Sequence, residues 1–196
     1  MLFRIKSYLQ FLWRATNEHG VHSPFVFALV TQCFYNKSKT PEYGILKAKK
    51  TTQNTTKKTK LLFRISHYFK PENVLGVGIP DEITTLALSL GNPKAKITTL
   101  SKNSPTETLE TASYNLIYFG NNLSKTTILD YLEQVLPTIT NETLWLFDAV
   151  HRSSDAEEVW ETIKKHPQVR VTVDTFIFGL VFFRKEQAKE HFVIRV

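Results

Sequence analysis

The sequence has little of what would tie it to an oxidising compartment or carry it through a membrane. It holds one cysteine, Cys33, so no intrachain disulfide can form. That thiol sits in the apolar run VTQCFY, a setting more usual for a core residue than for a nucleophile. No run of about 18 or more apolar residues occurs, so no segment reads as a transmembrane helix. The first twenty residues mix basic and apolar side chains, with neither a continuous apolar centre nor a small-residue cleavage site, and do not read as a signal peptide. These absences favour the cytoplasm, with no membrane partner. Acidic residues are also in deficit: 25 Lys and Arg against 18 Asp and Glu give a net charge of +7.

Much of the positive charge lies in KAKKTTQNTTKKTK (47–60), with Lys47, Lys49, Lys50, Lys57, Lys58 and Lys60. The run has no regularly spaced apolar residue and many Thr, so it reads as an exposed loop. It is either a solvated linker or a contact for nucleic-acid phosphates. The lack of interleaved aromatic residues favours the linker. A chain of 196 residues, 42% hydrophobic and 22% charged, is ordinary for one compact domain.

Periodicity divides the chain. Leu2, Phe3, Ile5, Leu9, Leu12 and Trp13 suit a helix with one buried face. Ser23-Pro24 reads as an N-cap and first helical residue, opening a buried helix through FVFALVTQCFY. LLFRISHYF (61–69) is a third helix, stopped by Pro71. Residues 1–70 therefore form a helical N-terminal layer, and 71–196 a second region with a different rhythm. NVLGV, KITTL, NLIYF and TLWLF read as strands, alternating with helices over 82–90, 104–113, 126–139 and 153–166. VRVTVD and FIFGLVFFR follow with almost nothing between them, so they pair as an antiparallel hairpin at one edge. HFVIRV closes a short basic tail. The pattern predicts a Rossmann-like α/β fold: a doubly wound, mostly parallel sheet with an antiparallel C-terminal hairpin. Six of the 14 phenylalanines fall in FVF, FIF and VFF runs at core spacing.

Ligands of open parallel sheets sit at the carboxyl ends of the strands. The stretch VLGVGIPDEITTLAL is the first such turn. With it, FLWRATNEHGVHSPFVFALVTQCFY near the start and LFDAVHRSSDAEEVWETIKKHPQVRVTVDTFIFGLVFFRKEQAKEHFVIRV at the end resemble the class I S-adenosylmethionine-dependent methyltransferases, above all a group from Bacteroidetes. The resemblance implies S-adenosylmethionine as cofactor and a small-molecule methyl acceptor. It places Gly76, Gly78, Ser101 and Gly120 around the cofactor.

Several positions depart from that pattern. Gly76 stands where the family has an acidic residue, Glu82 where it has a glycine, and Pro80 lacks a backbone donor. After KITTL, Ser101 and Lys102 replace the acidic residue that binds both ribose hydroxyls, and serine cannot make that bidentate contact. The interval from Leu100 to Asn115 is too short for the usual helix and third strand, which implies a deletion. Gly120-Asn121-Asn122-Leu123 replaces the relatives' Asp-Gly-Asn-His. The resemblance thus implies either a methyltransferase with weakened or lost activity, or a non-catalytic binding or scaffold protein, a pseudoenzyme, on the same fold.

Asp148 and His151 remain at the site end of the TLWLF strand, and are the catalytic candidates: His151 as a general base, oriented by Asp148. The other reading makes Asp148 a cap and His151 a surface residue. Two ligands fall short of a stable metal site, and no metal is expected. His19 and His22 have metal-like spacing, but Gly20 and Ser23-Pro24 fit a tight turn between helices better.

Overall fold

The computed structural model describes residues 2–49, 56–100 and 113–196. Helices α1 (Leu2–Arg14), α2 (Pro24–Ala28), α3 (Glu42–Ala48) and α4 (Thr56–Phe69) precede the first strand. Local chemistry sets the start of α2. The Ser23 hydroxyl accepts from the Val26 N–H, and Pro24 fills the first helical position. A π-helix over Leu29–Phe34 continues it, with Leu29, Val30, Cys33 and Phe34 all buried. Between α1 and α2, Glu18–Gly20 forms a 3-10 turn capped by Asn17, and His19 points to solvent.

Strands then alternate with helices: β1 (Asn73–Val77), α5 (Glu82–Gly91), β2 (Lys96–Leu100), β3 (Leu116–Phe119), α6 (Lys125–Val135), β4 (Leu144–Asp148), α7 (Ser154–Lys165), β5 (Val171–Asp174), β6 (Phe178–Phe182) and β7 (Glu190–Val193). The sheet order is β2-β1-β3-β4-β6-β5-β7. Neighbours among β1 to β4 pair in parallel. Strand β6 is antiparallel to both β4 and β5, while β7 is parallel to β5. The doubly wound, mostly parallel sheet and its antiparallel hairpin are therefore both present.

Three readings of the sequence need correction. The face expected to be buried on α1 is not the one turned inward: Leu2, Phe3, Ile5, Leu9 and Trp13 are exposed, and Ser7 and Phe11 are buried instead. HFVIRV is not a tail: it supplies most of β7, which adds a strand outside the hairpin. Beyond it, Thr16 pairs with Ile194, tying the segment after α1 to the same edge. The strand is short and opens on exposed Glu190 and His191, so no alternation announces it. The lysine run is not all loop either. Residues 47–48 end α3, and 56–60 form the start of α4. Lysine is a good helix former, and Lys58 is in phase with buried Leu61, Leu62 and Ile65. Lys50 lies outside the described residues, as do Ser101 and most of the helix expected over 104–113. Among the described residues β2 has β1 as its one strand partner.

Alternation along the strands makes two cores. Val74, Leu116, Tyr118, Leu144, Leu146, Leu180 and Phe182 pack with Leu61, Leu62, Ile65 and Leu88 on the α4–α5 face. Leu75, Val77, Ile117, Phe119, Trp145 and Phe147 pack with Tyr131, Val135, Val159 and Trp160 on the α6–α7 face. Each fully buried leucine or valine here contributes about 1.5–3 kcal/mol. Asp148 follows Leu146 by two residues, so its side chain belongs to the α4–α5 face. That register decides its partner.

Candidate functional site

The carboxyl ends of β1, β3 and β4 come together as the strand order requires. Gly78 has a φ of +59°, a left-handed conformation that a side chain disfavours. Its N–H donates to the Leu100 carbonyl at 3.0 Å, which ties the turn after β1 to the end of β2. The Gly120 N–H donates to the Val77 carbonyl at 2.9 Å. A Cβ on Gly120 would overlap the Gly78 carbonyl, so the turns after β1 and β3 pack backbone to backbone. Gly76, Gly78 and Gly120 are thus gathered at one place. The space beside Gly76 is not open, however: Ile79 folds back into it. Leu123 and Asn122 close over Gly78 in the same way.

Next to this turn, an open groove of about 590 Å³ runs between the ends of β1 and β2, lined by Gly78, Pro80, Asp81, Glu82 and Thr99 among others. Asp81 is already engaged. Its Oδ1 accepts from the Thr84 N–H at 3.0 Å and the Thr84 hydroxyl at 2.8 Å, capping α5. Glu82 is exposed.

Asp148 lies at the end of β4 and its carboxylate is almost fully buried. Lys58 Nζ donates to Asp148 Oδ2 at 2.5 Å, and the Tyr118 hydroxyl donates to the same oxygen at 2.7 Å. The Lys58 and Asp148 side chains are 13% and 1% exposed, so this is an interior ion pair. Lys58 Nζ also stands 5.9 Å from the centre of the Phe178 ring. Burial pushes the Tyr118 hydroxyl well above the usual phenol range, and the Asp148 charge pushes it further the same way. Tyr118 therefore stays protonated and remains a donor.

His151 is elsewhere. Ala149 has a φ of +56° immediately after β4, and His151 emerges beneath α1. Its Nδ1 meets Glu157 Oε1 at 2.8 Å and its Nε2 meets Asp174 Oδ2 at 2.7 Å. The ring stacks on Phe176 at 5.1 Å and meets Phe11 of α1 edge-on at 6.4 Å. Burial pulls its pKa down, but Asp174 and then Glu157 together outweigh burial and raise it above the ordinary value. The expectation that Asp148 orients His151 as a base is therefore corrected. Each has other partners, and an imidazole donating to two carboxylates has no free nitrogen to accept a proton.

Sequence reasoning missed Lys58 and Tyr118. The signal for Lys58 was its phase: three, four and seven residues before Leu61, Leu62 and Ile65, it lies on the buried stripe of α4. The signal for Tyr118 was its place two residues after Leu116 on one face of β3. Among the described residues, no group of three or more His, Cys, Asp or Glu is placed to hold a metal ion.

No family model and no curated protein matches the sequence. Solved structures do match. An S-adenosylhomocysteine-bound methyltransferase of Podospora anserina aligns with a TM-score of 0.58 at 11% identity, over 83% of this chain and 97% of its own. An O-methyltransferase of Bacillus cereus, in complex with S-adenosylhomocysteine, aligns at 0.52 and 14% identity, over 74% and 92%. The O-methyltransferase TomG of Streptomyces achromogenes, involved in tomaymycin synthesis and in complex with S-adenosylmethionine, aligns at 0.53 and 10%, over 78% and 95%. The chain has the methyltransferase fold.

Proposed function

We propose that this chain is a methyltransferase-like protein, a divergent relative of the Bacteroidetes group, that holds S-adenosylmethionine weakly and whose methyl-transfer activity is weakened or lost. The observation that carries the reading is the Lys58–Asp148–Tyr118 cluster. The one acidic side chain at the end of β4 is neutralised from within the protein. It has no charge left over to position an acceptor.

The residues present fit the cofactor in shape better than in charge. The groove beside Gly78 is open and large enough for a nucleoside. Backbone at Gly78, with Thr99 and exposed Glu82, would hold it. Against that, Ile79 fills the space at Gly76, and Asp81 is committed to capping α5. The residue following β2 is Ser101, which offers one neutral hydroxyl in place of a carboxylate. When bound, S-adenosylmethionine supplies the methyl group, and transfer depends chiefly on proximity and alignment with the acceptor. This chain's part would be to align a small-molecule acceptor. A cytoplasmic location fits the single thiol, Cys33, which burial pushes up to about 12 and keeps unreactive.

The second reading is a non-catalytic binding or scaffold protein on the same fold. The double engagement of His151 favours it, because the remaining candidate base is also occupied. Calorimetric titration with S-adenosylmethionine and S-adenosylhomocysteine tests both. Each lost charge-assisted hydrogen bond weakens binding by about 1.5–3 kcal/mol, tenfold or more, so dissociation constants of roughly 100 μM or weaker are expected. Low-micromolar or tighter binding would overturn the weak-cofactor reading. No heat at millimolar ligand would leave the scaffold reading alone standing.

A further inference from the structure

We propose that the outward face of α1 lies on an anionic lipid surface. The argument starts from a mismatch between pattern and burial. Leu2, Ile5, Leu9 and Leu12 recur at three- and four-residue spacing, and Trp13 adjoins them, which marks a stripe that a helix normally turns inward. The structure turns the other side inward. Ser7 and Phe11 are the buried residues of α1, and Phe11 packs on Phe176 at 5.3 Å. Most of the stripe faces water: Leu2 is 84% exposed, Ile5 50%, Leu9 61% and Trp13 88%, with Leu12 half-buried at its margin. A contiguous apolar stripe of this kind on a folded domain marks a surface that meets something else.

Charge selects the occupant. The helix LFRIKSYLQFLWR contains no acidic residue, and Arg4, Lys6 and Arg14 are all exposed. Helical geometry sets Lys6 beside the Trp13 margin of the stripe, while Arg4 falls near Phe11 and Arg14 near Ser7, toward the side turned inward. An apolar face with a basic side chain at its margin, tryptophan at its edge and no acidic residue on the helix is an arrangement by which a helix lies in a headgroup region. Lys6 reaches anionic headgroups while Leu2, Ile5, Leu9 and Trp13 enter the acyl boundary. A second copy of the chain fits less well. Stripe-to-stripe packing would bring Lys6 near its own counterpart, with no carboxylate on α1 to offset it. Lying on a membrane differs from crossing one: among the described residues no helix is long and apolar enough to span.

The test is co-sedimentation of the whole chain with vesicles of phosphatidylcholine alone and of phosphatidylcholine mixed with phosphatidylserine. Binding to the mixed vesicles should be stronger by about tenfold or more and should fall with added salt. Tryptophan emission should shift to the blue on binding. Trp145 and Trp160 are already buried, so the shift reports Trp13. A Leu9→Gln, Trp13→Gln double variant should melt like the parent, since both sites are exposed, yet lose vesicle binding. Equal affinity for the two vesicle types, no binding, or binding unchanged in the double variant would each overturn the proposal. So would a dimer that the same substitutions dissociate while vesicle binding is absent, because a second copy would then be what covers the stripe.

Discussion

Lys58 Nζ and Asp148 Oδ2 stand 2.5 Å apart across 90 residues of sequence. The pair joins the first turn of α4 to the end of β4, and so fastens the helical layer to the strand ends where a ligand would sit. Removing one partner of a buried pair leaves the other charge uncompensated, which costs about 3–5 kcal/mol in well-buried cases. Lys58 keeps some exposure, so Lys58→Met should destabilise by about 3 kcal/mol, near the lower end. Asp148→Asn should cost less, because the lysine ammonium can reach toward water on its long stem. The double variant should recover part of the loss. Urea unfolding of the four proteins gives the coupling directly. Single variants within about 0.5 kcal/mol of the parent would rule out a structural role for the pair.

Tyr118 completes this cluster, and its phenol is held protonated by burial and by the neighbouring carboxylate. In the unfolded chain it ionises near the usual 10.0. Above that pH the unfolded state has released a proton that the folded state still holds, so stability must fall as pH rises. Tyr118→Phe removes this dependence together with one charge-assisted hydrogen bond, worth about 1.5–3 kcal/mol. The variant should be less stable at neutral pH and lose less stability on going to alkaline pH. Parallel pH profiles for the two proteins would contradict the buried-phenol assignment.

The sequence made the sheet legible because each strand of the core is a short apolar run bounded by turn residues, as in NVLGV and TLWLF. It made β7 illegible because EHFV is half exposed and has no alternation. The glycines were readable from the strand-turn context, and the structure does gather Gly76, Gly78 and Gly120. What filled the space around them was not readable, since Ile79 and Leu123 act through side-chain direction. Asp148 and His151 were found as residues but mismatched as a pair. Three residues of separation said nothing of the Ala149 turn at φ +56°, which sends the two side chains to different partners. The lysine run misled most. Composition argued for solvent exposure, whereas one lysine in phase with Leu61 and Leu62 went inside.

His151 links the end of β4 to α7 and β5 through Glu157 and Asp174. Its folded pKa is raised above the ordinary 6.5 despite burial. A group with a raised folded value contributes stability that is fully present below the unfolded pKa and is lost as pH rises through the folded one. The protein should therefore be more stable at mildly acidic pH than at alkaline pH by an amount that His151→Gln abolishes. The same ring should titrate, by proton NMR, above the usual histidine midpoint. A midpoint at or below 6.5 would contradict the two-carboxylate clamp, and an unchanged pH profile in the variant would show that another group governs it.

Gly120 and Gly78 offer a test of the two turns themselves. A methyl group on Gly120 would overlap the Gly78 carbonyl, which is backbone and cannot rotate away. Gly120→Ala must therefore push the turns after β1 and β3 apart, and overpacking of this kind costs about 1–3 kcal/mol. Gly78→Ala combines a disfavoured φ of +59° with a contact at 2.6 Å to Leu123 Cδ2. Leu123 is a side chain that can move, so a second change can relieve half of that problem. Measured against Leu123→Ala alone, which itself empties part of the core, Gly78→Ala should lose the clash with Leu123 and keep the Asn122 Oδ1 contact at 2.8 Å and the backbone part, about 1 kcal/mol for a left-handed residue. No such relief exists for Gly120→Ala. Thermal unfolding of each glycine variant with and without Leu123→Ala, set against Leu123→Ala alone, should show Gly120→Ala as the one that truncation does not rescue. If Leu123→Ala rescues it as well, the clash lies with side chains, and the backbone-to-backbone contact of the two turns is wrong.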